Sequence, residues 1–255
     1  MNRFLAILTP VVFIALLLLV WEIACRQFAI PAYRLPPPTM VWSALITNAP
    51  LLLASAWQTL QTALIALVIA SATAMSLALL GGASPTIERA LKPLAVAAQV
   101  TPVIAIAPLL QIWAGLEHPQ RAVIALAVIV AFFPIYSGAA AGLKSADPDL
   151  ERLFDIYGAK PIQKLIRLRA PSAVPFLLEG HKVAAGLALI GAVVAEFAAG
   201  AGGVQGLAWR MVEAGNHLQT DKVFAGLLIM SLMGAAVYAA FELLQRRVLA
   251  WWRGR

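Results

Sequence analysis

The sequence predicts an all-α integral membrane protein, and three observations lead there. Of its 255 residues 62% are hydrophobic and only 12% charged, which leaves too little polar surface to cover a soluble globule of this size. Mean hydropathy is +0.85. Six apolar runs, at roughly 4–25, 57–81, 93–115, 120–143, 175–198 and 222–244, are each long enough to cross ~30 Å of hydrocarbon at ~1.5 Å per residue. They lack the polar alternation of a barrel, and an open strand edge in lipid leaves backbone groups unpaired, so each is read as a helix. The chain 1–255 is therefore expected to be one transmembrane domain of about six helices, with a polar loop at 144–174 between the fourth and fifth.

The first run, Phe4 to Trp21, exceeds a signal-peptide core, and no small-x-small site follows it cleanly, so it is read as a retained span. Cys25 is the single cysteine, which rules out an intrachain disulfide or a cysteine cluster. Glu22 stands where a lipoprotein signal needs an apolar residue, so lipidation is rejected. The stretch LPPPTMVWSALITNAP then breaks the helix at its prolines, and Thr39 is expected to cap a short amphipathic helix running to about Asn48. Only GLEHPQ separates the third and fourth runs.

Basic residues orient the spans. With both termini on the cytoplasmic side, Arg3, Arg89, Lys92, Lys144, Arg152, Lys160, Lys164, Arg167, Arg169 and the arginines after 245 lie inside. Arg26, Arg34, Arg121, Arg210 and Lys222 lie outside, and Lys182 falls within a span. The net charge of +7 thus reflects membrane topology and not a nucleic-acid surface. Trp251 and Trp252 among the C-terminal arginines suit the headgroup boundary.

Motifs of catalysis do not assemble. GAAAGLKS at 138–145 has Leu143 where a phosphate loop needs glycine, and no strand precedes it; Gly138 and Gly142 instead form a small-xxx-small pair for close helix packing. Gly200, Gly202, Gly203 and Gly206 lack a βαβ context and read as a turn or partly re-entrant loop. His118, His181 and His217 fall in separate segments with no HExxH pair. Nothing in these motifs argues for catalysis, and nothing in the chain could hydrolyse ATP.

The loop from Lys144 to Pro175 holds six of the 19 Lys and Arg residues. Asp147 and Pro148 mark a helix start, with the helix running to Tyr157; Gly158 permits the backbone turn that stops it, and Pro161 restarts a helix that Pro171 and Pro175 are expected to end. Here the residues resemble a family. YGAKPIQKLIRLRAP is similar to the coupling-loop signature of bacterial ABC importer permeases, EAA, three residues, Gly, nine residues, then I-x-L-P. Gly158 and Pro171 are in register and Leu168 is at the Ile position. Arg152, Leu153 and Phe154 occupy the EAA positions, the acid is displaced to Glu151 or Asp155, and Ala170 replaces Leu. LPPPTMVWSAL, LKPLAVAAQVTPVIAIAPLLQIWAG (91–115) and AEFAAGAGGVQGLAW (195–209) resemble the nitrate, sulfonate and taurine branch, so the likeness covers most of 35–210.

The resemblance implies a type I importer permease in the bacterial inner membrane, a homodimer or heterodimer that carries no nucleotide site. Two separate ATPase subunits, holding ATP and Mg, would grip its inner loops, and a periplasmic or lipid-anchored binding protein would deliver a small solute such as nitrate, a sulfonate or taurine. It assigns ATPase coupling to Glu151, Leu153, Phe154, Asp155, Tyr157, Gly158, Ala159, Lys160 and Pro171. Lys160, Lys164 and Arg167 would face either an acidic ATPase surface or anionic lipid headgroups. Polar or kinking residues inside spans, Gln99, Thr101, Pro102, Pro108, Gln111 and Glu196, are candidates for the translocation path or gate, with Thr101 and Pro108 on one helix face. The resemblance places an acid at Glu196, for an external gate or binding-protein docking; capping of neighbouring amides is the plain alternative. Glu179 and Lys182 are spaced to pair. An ion-coupled secondary transporter is the rival, but no inverted repeat accompanies it.

Overall fold

The computed structural model of the chain describes residues 3–115, 117–199 and 205–253. The described elements are all helical: α1 (Arg3–Gln27), α2 (Pro38–Ala83), α3 (Pro85–Val100), α4 (Val103–Ala114), α5 (Pro119–Leu143), α6 (Pro148–Ile156), α7 (Pro161–Lys164), a π-helical turn (Leu165–Arg169), α8 (Ala170–Ala199), α9 (Leu207–Asn216) and α10 (Thr220–Arg253). Among the described residues, five stretches are long and apolar enough to cross a membrane: Leu8–Gln27, Pro38–Ala83, Pro119–Leu143, Pro161–Ala199 and Thr220–Trp252.

The chain divides into two compact units. The first comprises Met1–Trp57 and Gln205–Ser231. Its proline-rich turn is organised by Glu22, whose carboxylate pairs with Arg26 at 2.6 Å and accepts from the Thr39 amide (3.1 Å) and hydroxyl (3.0 Å). Glu22 thus takes over amides that a helix start leaves unpaired. Cys25 is buried, with its thiol 3.6 Å from the Leu35 carbonyl. The Trp21 and Phe224 rings pack tilted against each other, 5.5 Å between centroids.

The second unit comprises Gln58–Val204 and Leu232–Arg255. Its core is built from small residues: Ala63, Ala66, Ala70, Ala74 and Ala78 form a stripe at helical spacing on α2, facing Ala127, Ala131 and Ala139 of α5 and Ala184, Ala188 and Ala192 of α8 in one buried cluster. Lipid tails are as apolar as leucine, so helices here associate through close packing, which small side chains allow. Helices α5 and α8 approach closely. A Cβ at Gly138 would stand 2.8 Å from the Phe176 carbonyl oxygen, at Gly142 2.8 Å from Ala173 Cα, and at Gly180 2.7 Å from the Pro134 carbonyl oxygen. The small-xxx-small pair 138/142 therefore packs α5 against α8.

Four expectations change. The third run, 93–115, is not one helix: Thr101 is extended (ψ 126°) and Pro102 (ψ 105°) starts α4. Proline disfavours helical backbone at the residue before it and supplies no amide. Thr101 and Pro108 consequently belong to different helices and share no face. The short helix ending near Asn48 does not exist separately, because α2 runs from Pro38 through Pro50 to Ala83. Thr39 lies inside that helix and donates to Glu22. Pro171 and Pro175 do not end the basic helix, which runs into α8 through the π-turn, where the Ala170 amide reaches back to the Leu165 carbonyl. The Ser172 hydroxyl donates to the Leu168 carbonyl at 2.9 Å. In an apolar setting, continuing the helix with a local bulge leaves fewer groups unpaired than stopping it. Most of the glycine run, Gly200 to Gly203, lies outside the described residues; Gly206 caps the start of α9.

Candidate functional site

The polar loop is a helix, a corner and a second helix. Asp147 accepts from the Asp149 amide at 2.8 Å, and Pro148 in the first turn of α6 loses no helical hydrogen bond. At the other end Gly158 adopts φ +67°, and its amide donates to the Asp155 carbonyl at 2.9 Å. The left-handed conformation favours glycine, so the sequence has its glycine where the turn requires one. The Lys160 amide donates to Gln163 Oε1 at 2.8 Å as α7 begins.

Helix α6 buries no residue, yet it is fixed at its base. Glu151 Oε1 lies 2.6 Å from Arg169 Nε, both half-exposed, and a second Arg169 nitrogen donates to the Gly82 carbonyl at 3.4 Å. Asp155 pairs with Lys164, and Lys144 at the end of α5 pairs with Glu88 of α3. Both acids near the EAA positions are thus engaged within the chain. At the end of α6 three apolar side chains face outward, Ile156 82% exposed, Tyr157 81% and Leu153 44%, while Asp149 and Arg152 pair in the open nearer its start. Phe154 and Ala159 are partly covered, while Lys160 and Pro171 are exposed. Sequence reasoning missed Ile156, although it adjoins Tyr157 and adds to the same apolar tip.

The path candidates divide. Gln99 is in α3, with its side chain outside the described part of the structure. Thr101 and Pro102 form the break between α3 and α4, and the Thr101 hydroxyl donates to the Ala97 carbonyl at 2.7 Å. Pro108 is exposed within α4. Gln111 donates to the Ala198 carbonyl at 3.0 Å, tying α4 to the end of α8. Glu196, 1% exposed, accepts from the Thr59 hydroxyl at 2.8 Å. Thr59 and Thr62 are themselves fully buried. The structure thus brings Gln111 of α4 and Thr59 of α2 to the end of α8 that carries Glu196, while Thr101 and Pro102 form the break that precedes α4. Thr59 escaped notice because a threonine hydroxyl in an apolar helix usually bonds its own turn, as Thr62 does to the Gln58 carbonyl.

Lys182 pairs with Glu179 at 2.8 Å and also with Glu242 of α10 at 3.2 Å; Glu242 holds Arg246 at 2.9 Å, and Gln245 donates to Glu179 at 2.9 Å. The predicted intrahelical pair is therefore part of a brace between α8 and α10, which the spacing within one helix does not reveal.

Described elements that are all helical, with five membrane-length apolar stretches among the described residues, define a multi-pass membrane protein. Residues 74–250 match the family model for the binding-protein-dependent transport system inner membrane component, and the chain belongs to that family of ABC transporter permeases, in its nitrate, sulfonate and taurine branch. It is 34% identical to the formylaminopyrimidine transport permease protein of Halalkalibacterium halodurans, with 98% of each chain covered. It is 30% identical to the taurine transport system permease protein of Escherichia coli, covering 93% of this chain and 87% of that one. A Bacillus subtilis permease named for aliphatic sulfonates transport is 27% identical, covering 96% of this chain and 86% of that one.

Proposed function

We infer that this chain forms the translocation path of an ATP-driven importer for a small organic solute or oxyanion, with both termini and the loop at 144–174 on the cytoplasmic side. It works as a dimer with a second permease copy. Separate ATPase subunits that bind ATP and Mg engage the corner, and an external binding protein delivers the solute. The names of the relatives, spanning formylaminopyrimidine, taurine and aliphatic sulfonates, support a small polar solute and leave its selection to the binding protein.

The supporting observation is the corner itself. Glu151 and Asp155 are held by Arg169 and Lys164, so the end of α6 offers Leu153, Ile156 and Tyr157 as an apolar tip on a braced base. Closure of the ATPase pair would move α6 as a lever, and the Glu151–Arg169 pair and continuous helix from Pro161 to Ala199 would pass the displacement into the membrane. ATP binding then shifts the population between inward- and outward-open states by its different affinity for each.

The test is reconstitution in proteoliposomes with and without the partner ATPase. Uptake that requires the ATPase, ATP and the binding protein is the expected result. Uptake driven by an ion gradient through the permease alone would establish the secondary-transporter reading instead.

A further inference from the structure

Behind the corner, the inner end of α2, the start of α3, the end of α5 and the segment from Ala159 to Arg169 enclose a cavity of about 650 Å³. Its wall carries three cations, Lys144, Lys164 and Arg169, with Glu88 and Asp155 between them. Each cation already holds a carboxylate, Arg169 through Glu151. An ammonium has three donors and a guanidinium five, however, so every cation retains donors for a further anion. Tyr136 adds a phenol to the same wall.

Two apolar grooves adjoin this cavity. One groove of about 560 Å³ shares Ala83, Ile162 and Leu165 with it and extends past Leu79 and Leu80. A smaller one of about 160 Å³ shares Ala78 and Leu143 and extends to Met75 and Leu177. A soluble anion accounts for the cations but leaves both grooves empty. A molecule with an anionic head and two hydrocarbon tails matches the chemistry of all three linings, and basic pockets at the cytoplasmic ends of membrane helices are where such headgroups bind.

We propose that the cavity bearing Lys144, Lys164 and Arg169 and its two apolar grooves hold one anionic phospholipid of the inner leaflet. The phosphate lies among the cations and the acyl chains lie along Leu80 and Leu177. The choice of leaflet rests on the orientation inferred above, whereas the binding does not.

Native mass spectrometry of the full chain in mild detergent tests it, with phosphatidylglycerol and phosphatidylcholine as probes. One phosphatidylglycerol retained per chain, preferred about tenfold over phosphatidylcholine, is expected from the cations at the headgroup. Exchanging Lys144→Gln together with Glu88→Gln removes an ion pair without stranding a charge and lowers that preference at least about threefold. Leu80→Trp fills the lip of the larger groove at an exposed position, so folding is preserved and retention of both lipids falls. Equal retention of the two lipids by the unaltered chain overturns the proposal, as does an unchanged preference in the paired variant. Displacement by millimolar glycerol phosphate would assign the site to soluble phosphates, and a lipid-free dimer would assign the grooves to the second copy; either also overturns it. Separately, labelling of a Lys160→Cys variant by an impermeant thiol reagent from outside would overturn the leaflet and the proposed function while leaving the lipid preference standing.

Discussion

Gly158 offers the sharpest test of the lever, because its role is separable from packing. Its φ is +67°, and no atom lies within 4 Å of where a Cβ would stand, so a substitution meets no neighbour. The whole effect is conformational. Holding an L-residue in the left-handed region costs about 1–2 kcal/mol, which shifts the corner's population about 5–30-fold. Asparagine tolerates that region better than alanine, and proline, with φ fixed near about −65°, cannot adopt it. Proline would also remove the amide that bonds the Asp155 carbonyl. Solute taken up per ATP hydrolysed in proteoliposomes should therefore fall in the order Gly, Asn, Ala, Pro. The thermal unfolding midpoint of the permease should stay constant, since α6 buries nothing. A Gly158→Pro variant with normal coupling would refute the lever, and a midpoint falling in step with coupling would show that the substitutions act on the fold instead.

Gly180→Ala should lower the unfolding midpoint in detergent, consistent with overpacking of about 1–3 kcal/mol, because its Cβ would stand 2.7 Å from the Pro134 carbonyl oxygen; Gly186→Ala, with open space around it, should leave the midpoint unchanged. Thr59→Val should destabilise by about 1–3 kcal/mol by withdrawing a donor from buried Glu196, while Thr59→Ser should behave as the parent in the same unfolding assay. Lys182→Met should leave Glu179 and Glu242 facing each other without their shared cation and loosen α8 from α10, read as faster hydrogen exchange in the C-terminal half of α10. The Arg210 guanidinium, hydrogen-bonded to Glu213 at 2.8 Å, holds that carboxyl below its ordinary value of 4.5. A depressed carboxylate stabilises the fold above its unfolded value, and the contribution is lost as pH falls through the folded one, so Arg210→Gln should return the Glu213 titration, followed by NMR, to the ordinary range.

The corner was legible in the sequence because its signals are local: Asp147 caps, Pro148 and Pro161 start helices, and Gly158 turns. The same proline rule misled at 171 and 175 and at 50. In water a helix can stop at proline and give its carbonyls to solvent, whereas in an apolar surround the chain keeps its helix and inserts a π-turn. Conversely, Pro102 did break the third run, where Thr101 and two neighbouring prolines, Pro93 and Pro108, weaken the same short segment. Of the path candidates, Glu196 and Gln111 were identifiable as polar groups in apolar helices, but their partners were not.

The sequence by itself determined that the chain is helical, crosses a membrane, and carries a basic loop with a glycine corner, because hydropathy and turn chemistry act over a few residues. Only the tertiary structure decided that the corner's acids bind Arg169 and Lys164, that Thr59 meets Glu196 across 137 positions, and that Lys182 joins α8 to α10. Those pairings depend on which helix faces come together. Alanine and glycine stripes set that geometry through backbone approach, and no local pattern names the partner stripe.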